Sequence, residues 1–181
     1  MKKILVMSFA VLGFSTPAFA DLDFGLEAGI RQQSGDFESG NTAKSQMGMQ
    51  FGTTAHFPIS GPLHLRTGML YTQRPLTEET LLGDNKVSLN YLDIPVALMY
   101  KFEEYAGVFA GVSVALNLDK SADSGTVQDV KSPLVPILIG ASFKFAPQLG
   151  VALYYESASG DVAQGLKDYR AVGANLMITF D

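Results

Sequence analysis

The chain has 181 residues, carries a formal net charge of −5 and contains no cysteine. An acidic chain without a basic patch argues against a nucleic-acid partner, and without disulfides its stability must come from a packed core or a closed sheet. After the N-terminal segment no apolar run approaches the roughly 20 residues of a transmembrane helix, so any crossing of a bilayer must use strands.

The first twenty residues predict a secretory signal peptide. Two lysines at positions 2 and 3 precede an apolar run over residues 4–14, and the Ala-Phe-Ala sequence at 18–20 fits the small-x-small cleavage pattern. A short membrane anchor is the alternative, but the run is well below the roughly 20 residues that span a bilayer. We therefore predict a signal peptide at residues 1–20, cleaved after Ala20, and one exported domain at residues 21–181.

Beyond residue 21, apolar and polar residues alternate with a period of two, which is typical of β-strands. In the first segment Phe24, Leu26 and Ile30 share one face, whereas Asp23 and Glu27 share the other. The pattern predicts eight strands, at residues 22–32, 46–57, 63–73, 87–102, 107–118, 135–145, 149–156 and 170–181. Each is about ten residues long, which is the length that a tilted strand needs to cross a bilayer.

The predicted connections alternate between short and long. The short ones are residues 58–62, 103–106 and 146–148, and the long ones are residues 33–45, 75–86, 119–132 and 157–169. Short periplasmic turns and longer extracellular loops are typical of outer-membrane barrels, and an even strand count places both termini on one side. We predict an all-β fold, an eight-stranded antiparallel up-and-down transmembrane β-barrel.

The apolar face of each strand is predicted to meet lipid, because it is nearly free of charge while the opposite face carries glycine, small residues and scattered charges. Aromatic residues lie near the strand ends, which predicts a girdle at each membrane interface. Its members are Phe57, Tyr100, Phe102, Phe143, Phe145 and Phe180 at the periplasmic rim, and Tyr71 and Tyr155, with Tyr91 as a further candidate, toward the outer rim. The alternative is a soluble periplasmic barrel with an apolar interior, in which aromatics are simply enriched in strands.

Two local irregularities are expected in the strands. Val87 and Leu89 are out of phase with the apolar stripe that follows them, which indicates a bulge near Tyr91. Proline cannot donate to a strand ladder, so each of three prolines should mark a strand start or a bulge. These are Pro95, Pro133 and Pro136.

Eight charged side chains fall on the face predicted to line the lumen: Asp23, Glu27, Arg31, Arg66, Asp93, Lys101, Lys144 and Glu156. Four are acidic and four are basic, and since unpaired buried charge is costly we expect them to form ion pairs that plug the lumen. Asp93 should be buried beside a cation such as Lys101 or Arg66. The alternative is a narrow polar path for small ions or solutes.

No enzymatic or metal site is predicted. His56 and His64 flank the first short turn without further ligands at a recognisable spacing, so neither a metal nor another cofactor is expected. Ser60 and Ser113 lie outside any nucleophile motif, and a hydrolase would need a serine, a histidine and an acid in one constellation.

The sequence Tyr-Leu-Asp-Ile-Pro at residues 91–95, the following apolar run to residue 102 and the glycine-rich segment 107–111 resemble the outer-membrane β-barrel domain group often labelled "porin family". This group is related in architecture to OmpA/OmpX-type small barrels, and the resemblance covers residues 21–181. Residues 176–180 resemble the C-terminal strand that the barrel-assembly machinery reads, although Asp181 follows the aromatic on which such strands usually end. The resemblance implies an integral protein of the Gram-negative outer membrane.

The function favoured at this point is a structural or surface-interaction role of a monomer in the outer membrane. Its partners would be the lipid bilayer, lipopolysaccharide and a surface ligand of unknown identity, bound through the extracellular loops at residues 33–45 and 119–132, because loops on a rigid scaffold commonly carry binding. A narrow channel and a lipid-modifying enzyme are the alternatives.

Overall fold

The computed structural model describes residues 22–37, 44–80, 83–122, 130–163 and 166–180, and eight strands account for most of them. The strands are β1 (Asp23–Phe37), β2 (Gln46–Ser60), β3 (Leu63–Thr80), β4 (Gly83–Glu103), β5 (Ala106–Ala122), β6 (Ile137–Ala146), β7 (Leu149–Ala163) and β8 (Leu166–Phe180). Each strand pairs antiparallel with its neighbours in the chain, and β8 pairs with β1 to close the barrel. The predicted fold class is confirmed. No helix in the described ranges is long and apolar enough to cross a membrane.

The alternation of side chains along each strand separates the lumen from the outer surface. In β4, Asp93 and Met99 are buried, whereas Val96, Leu98 and Tyr100 are 43%, 54% and 46% exposed. Comparable exposure of large apolar side chains recurs on all eight strands. Soluble monomers rarely expose so large a continuous apolar surface, so this exterior requires an apolar surrounding.

Three two-residue turns lie at one end of the barrel, which we call the turn end. They are formed by Gly61–Pro62, Glu104–Tyr105 and Pro147–Gln148. Gly61 has a φ of 51°, a left-handed conformation that glycine adopts without steric cost. Phe24 pairs with Phe180, so the first and last strands meet at this end. The opposite end, where the long connections leave, is the loop end.

At the loop end six of the eight strands are longer than predicted, the exceptions being β2 and β6. β3 and β4 leave only residues 81–82 between them, and β7 and β8 leave only 164–165. The predicted loops 75–86 and 157–169 are therefore wrong over most of their length, and parts of 33–45 and 119–132 also belong to strands. Residues 38–43 and 123–129 of those two loops lie outside the described residues.

The prolines act on the ladder in different ways. Pro136 immediately precedes β6, which therefore starts two residues later than predicted. The chain before it stays bonded to β5, since Ala115 and Leu134 exchange backbone hydrogen bonds of 2.8 and 2.9 Å. Pro95 was predicted to start a strand or a bulge, and this is wrong: it lies within β4, whose register against β3 is the same on either side of it.

A register shift does occur beside Tyr91, as predicted, but for another reason. Asn90 pairs with Asp119 and Tyr91 pairs with Asn117, so the extra residue is Leu118 in β5. Leu89 is buried like Tyr91 and keeps the alternation of β4 intact. It is apolar because the lumen itself is apolar at this level.

Candidate functional site

The lumen is filled by side chains in successive layers, beginning with an ion pair above the turn end. Arg66 Nη2 donates to both carboxylate oxygens of Glu27, at 2.7 and 2.9 Å. Asn175 Nδ2 donates to Glu27 at 3.1 Å and to Gln50 at 2.9 Å, and Gln50 in turn donates to Thr72 at 2.8 Å. The Arg66 guanidinium also lies 4.4 Å from the centre of the Phe109 ring. This Glu27–Arg66 layer is electrically neutral.

The next layer is a four-charge cluster of Arg31, Arg74, Asp93 and Glu156, drawn from β1, β3, β4 and β7. Arg74 Nη2 lies 3.0 Å from Asp93 and 2.7 Å from Glu156. Arg31 lies 3.2 Å from Glu156 and 3.7 Å from Asp93. All four side chains are at most 2% exposed. Each cation thus faces both anions, and the cluster is neutral, as burial of charge requires.

Aromatic side chains enclose the two buried arginines. The Arg74 guanidinium lies 4.6 Å from the Tyr91 ring centre and 5.3 Å from that of Tyr169. Arg31 lies 5.8 Å from the ring centres of both Tyr154 and Tyr169 and donates a hydrogen bond to the Tyr169 hydroxyl. These rings replace part of the hydration that the guanidinium groups lose on burial.

Two glycines make room for rings inside the lumen. A Cβ added at Gly173 would lie 2.2 Å from Tyr154 Cζ, and one added at Gly140 would lie 2.4 Å from Phe109 Cζ. The rings thus occupy the space above glycine backbone, and the cross-section of the barrel is filled at this level.

A void of about 20 Å³ remains between the Glu27–Arg66 layer and the four-charge cluster. Its volume suits about one water molecule. Arg66, Tyr154 and Asn175 line it, and each has a buried polar atom without a hydrogen-bond partner among the described residues. A water molecule in this void can therefore form hydrogen bonds with these atoms. A void of this size does not form a pore.

On the loop-end side of the four-charge cluster the lumen becomes apolar. This apolar cap consists of Leu76, Leu89, Tyr91, Ala115, Leu134, Ala158, Val162, Tyr169 and Ala171, all at most 5% exposed. The segment before β6 bridges β5 and β7 across it, since Lys131 donates its backbone N–H to Val162 at 2.9 Å. The cap thus closes the lumen in the manner of a soluble protein's core.

On the outer surface, by contrast, apolar side chains give way to polar ones toward the loop end. Exposed Ile30 in β1 is followed, at the next outward position toward the loop end, by exposed Gln32. Val172 in β8, which is 57% exposed, is followed by Arg170, whose side chain is 58% exposed. Toward the loop end the lumen thus changes from charged layers to the apolar cap, while the outward side chains of β1 and β8 change from apolar to polar.

The eight charged residues predicted in the lumen divide into two groups. Glu27, Arg31, Arg66, Asp93 and Glu156 are buried within it. Asp23, Lys101 and Lys144 are only half-buried and lie at the turn-end mouth, where Lys101 Nζ contacts Asp23 at 2.5 Å. The predicted partner of Asp93 was wrong: its cations are Arg74 and Arg31, because Lys101 pairs with Asp23 and Arg66 pairs with Glu27.

Sequence reasoning missed three polar residues of the lumen. Arg74, Gln33 and Tyr169 are each at most 1% exposed, yet they fell outside the predicted strands. Each continues the inward phase of its strand, as Arg74 does after Arg66 and Thr72. That continuation was the available signal, and the proline after Arg74 obscured it.

The predicted girdle residues lie on the outer surface, with one exception. At the turn-end side these are Phe57, Tyr100, Phe102, Phe143, Phe145 and Phe180, and nearer the loop end they are Tyr71 and Tyr155. The further candidate Tyr91 is wrong, because it is fully buried against Arg74. Phe51 and Tyr71 pack together with ring centres 5.1 Å apart.

The two histidines do not form a shared site. His56 is buried between the strand partners Asp23 and Arg66, whereas His64 Nδ1 lies 3.1 Å from the Pro62 carbonyl oxygen. Within the described ranges, no three side chains of histidine, cysteine, aspartate or glutamate come together as metal ligands.

Solved structures with the same architecture include outer-membrane proteins. Neisserial surface protein A is 17% identical, with a TM-score of 0.57 over 87% of this chain and 97% of that chain. OprG from Pseudomonas aeruginosa is 14% identical, with a TM-score of 0.56 over 87% and 95%. Ail of Yersinia pestis, in complex with the heparin analogue sucrose octasulfate, is 14% identical, with a TM-score of 0.51 over 87% and 99%. At these identities the likeness shows the fold alone.

A search of curated proteins finds no match. The family model described as "Outer membrane protein beta-barrel domain" matches residues 14–166, which is most of the chain. Together with the closed eight-stranded barrel and its apolar exterior, this match shows that the chain belongs to the outer membrane protein beta-barrel domain family and is located in the outer membrane.

Proposed function

We propose that the protein is a sealed scaffold in the outer membrane that presents a folded barrel extension, and the chain segments connecting its strands, to partners outside the cell. In barrels of this kind the short turns face the periplasm, so the turn end is periplasmic and the loop end is extracellular. The role involves no catalysis and is carried by surface contacts at the loop end.

The observation that carries this proposal is the exchange of polarity along the barrel. A lumen that only had to be sealed inside the membrane would need no apolar core beyond it. The apolar cap lies inside strands whose outward side chains at the loop end include exposed Gln32 and Arg170, and this combination is what a water-exposed extension of the barrel requires. The surface offered to partners is then a rigid β-structure, which binds without the entropic cost of ordering a loop.

The outer aromatic residues and the C-terminal strand support two further parts of the proposal. The aromatics of the predicted girdle mark the two membrane interfaces, where amphipathic rings are favoured. Above the outer one, exposed Arg170 and Lys120 are suited to the phosphates of lipopolysaccharide. Residues 176–180 form the end of β8 and are the segment offered to the barrel-assembly machinery.

Single-cysteine labelling tests the orientation and the extension, since the chain has no native cysteine. With a membrane-impermeant maleimide, Ser159→Cys at the loop end should label in intact cells, because this residue is exposed. Glu104→Cys at the turn end should label only after the outer membrane is permeabilised. Leu98→Cys, on the lipid-facing surface, is the control and should stay unlabelled until the protein is unfolded.

The reverse order of labelling, with Glu104→Cys reactive in intact cells, would contradict the orientation. Labelling of Leu98→Cys in intact cells would show that water reaches the apolar exterior, and the assignment of that surface to lipid would then be wrong.

Electrical recordings distinguish the scaffold from the narrow channel, which is the second candidate. We expect the purified protein in planar bilayers to conduct no more than a protein-free membrane. The four-charge cluster and the apolar cap lie across the lumen, and the void beside the cluster holds only about 20 Å³. Discrete conductance steps whose ion selectivity changes in Lys101→Gln or Arg66→Gln would instead establish a channel.

A further inference from the structure

The outer surface of the barrel carries a groove of about 940 Å³, which we call the exterior groove. It crosses β5, β6, β7 and β8 and reaches β4 on one side and β1 on the other. Large outward side chains form its walls, among them Leu98, Ile139 and Val172, and all three are exposed. The exterior groove is therefore continuous with the apolar surface that faces lipid.

The floor of the exterior groove reaches the backbone of the sheet. Its outward side chains are the small ones of Ala110, Ala141 and Ala174. Gly140 and Gly173 also line it and are partly exposed, although both lie in the inward phase of their strands. The rings of Phe109 and Tyr154 fill the lumen behind these two glycines. Their exposure is therefore on the outer side, where the wall of the barrel is thinnest.

The two borders of the exterior groove differ in their hydrogen-bonding groups. Toward the loop end it is bordered by Tyr155 and Gln32, which are both exposed, and the Gln32 amide can donate as well as accept hydrogen bonds. Toward the turn end it is bordered by Leu63 and by Tyr100, whose ring packs against that of Phe102 at 5.2 Å. The groove is thus apolar along its length, with an amide on the side of the loop end.

We propose that the exterior groove holds one acyl chain of lipopolysaccharide, the lipid of the outer leaflet. The chain lies against Ala141 and Ala174, and the amide or ester group at its head bonds to Gln32. An acyl chain enters the groove from the surrounding lipid without meeting water, and it restores the dispersion contacts that an unfilled groove would lack. The inference rests on the proposed function, because it takes the loop end to be extracellular.

The test is native mass spectrometry of the mature protein, purified from outer membranes in a mild detergent and released from its micelles in the spectrometer. The probe is lipopolysaccharide that lacks its polysaccharide, added at a fixed concentration beside an equal amount of phospholipid. The measured quantity is the ratio of lipid-bound to lipid-free protein. We expect a complex with a single lipopolysaccharide molecule to exceed any complex with phospholipid.

Variants locate the bound chain. Ala141→Leu and Ala174→Leu fill the floor and should each lower the bound-to-free ratio at least about fivefold, as expected for overpacking. Gln32→Leu removes the amide and should lower it about threefold, as expected for the loss of one hydrogen bond. Ala28→Leu is the matched control, because Ala28 is exposed on β1 outside the groove, and it should change nothing. A gel of unboiled samples establishes folding, and Gln32→Leu keeps the test valid if the alanine variants fail to assemble.

The measured mass identifies the occupant. The proposal is overturned if the groove variants displace a phospholipid or a second copy of the chain instead, if no lipopolysaccharide complex forms, or if Ala28→Leu weakens the complex as much as Ala141→Leu does. Cysteine labelling separates this failure from that of the proposed function. If Glu104→Cys stays unreactive in intact cells and phospholipid occupies the groove, only the present inference is wrong, whereas the reverse order of labelling removes the basis of both.

Discussion

Replacing Arg74 with methionine is expected to lower the free energy of unfolding by about 3–5 kcal/mol, the usual cost of removing one partner from a buried ion pair. Arg74 is the closest cation to both Asp93 and Glu156, at 3.0 and 2.7 Å. Methionine approximates its length but leaves two buried carboxylates facing Arg31 alone. The cluster would then carry a net negative charge in a place that water reaches poorly.

Urea titration in lipid vesicles measures this effect. The chain has no tryptophan, so the folded fraction is best followed by circular dichroism and by the mobility of unboiled samples on a gel. Arg170→Met is the matched control: its side chain is 58% exposed and lies 3.8 Å from Asp36. Its loss should cost no more than about 0.5 kcal/mol, as for other exposed pairs.

A double variant separates the loss of charge balance from the loss of packing. Adding Asp93→Asn to Arg74→Met leaves Arg31 opposite Glu156, at 3.2 Å, and restores neutrality. We expect the double variant to be more stable than Arg74→Met alone, with strongly non-additive effects because the residues share one network. If Asp93→Asn instead lowers the free energy of unfolding further in the Arg74→Met background, the charge balance of the cluster is not what stabilises the lumen.

The period-two pattern predicted the eight strands, but not their extension toward the loop end, which is why Arg74 was missed. It placed Glu27, Arg31 and Glu156 on the inward face without any knowledge of their neighbours. It was not sufficient for the ion pairs, because partners across a lumen belong to strands that are not adjacent. Asp93 in β4 meets Arg31 in β1 only through the closure and stagger of the barrel, which strand spacing in the sequence does not specify.

The apolar cap was missed for a different reason. The prediction assumed that one face of every strand is polar and lines the lumen along its whole length. Leu89 contradicted this assumption and was interpreted as evidence for a bulge. Tyr169 was assigned to the loop at 157–169, and Leu134 fell between the predicted loop 119–132 and the predicted strand 135–145. In a barrel that leaves the membrane, the surroundings change from lipid to water partway along a strand, so the favoured polarity of each face is exchanged while the alternation continues.

Tyr169 contacts both the four-charge cluster and the apolar cap. Two truncations of increasing size, Tyr169→Phe and Tyr169→Ala, should therefore lower the free energy of unfolding by increasing amounts. Its hydroxyl accepts a hydrogen bond from Arg31 and donates one to Gln33 at 3.1 Å. Both partners belong to β1, so these hydrogen bonds link β8 to β1 across the seam, which is the junction where the first and last strands close the barrel. Tyr169→Phe leaves two buried polar groups without this partner, and we expect a loss of about 1–3 kcal/mol. Tyr169→Ala also removes the ring, for a total of about 3–5 kcal/mol.

The same urea titration provides the measurement, and Tyr155→Phe provides the control. Tyr155 lies on the outer surface of β7 and is 39% exposed, so its hydroxyl should contribute within about 0.5 kcal/mol. Because the seam closes the barrel, Tyr169→Ala should also reduce the fraction that refolds into vesicles to the fast-migrating form. If Tyr169→Phe costs no more than Tyr155→Phe, the hydroxyl does not fasten the seam. The stability of the β1–β8 pair must then come from its backbone ladder and from the packing of the ring in the apolar cap.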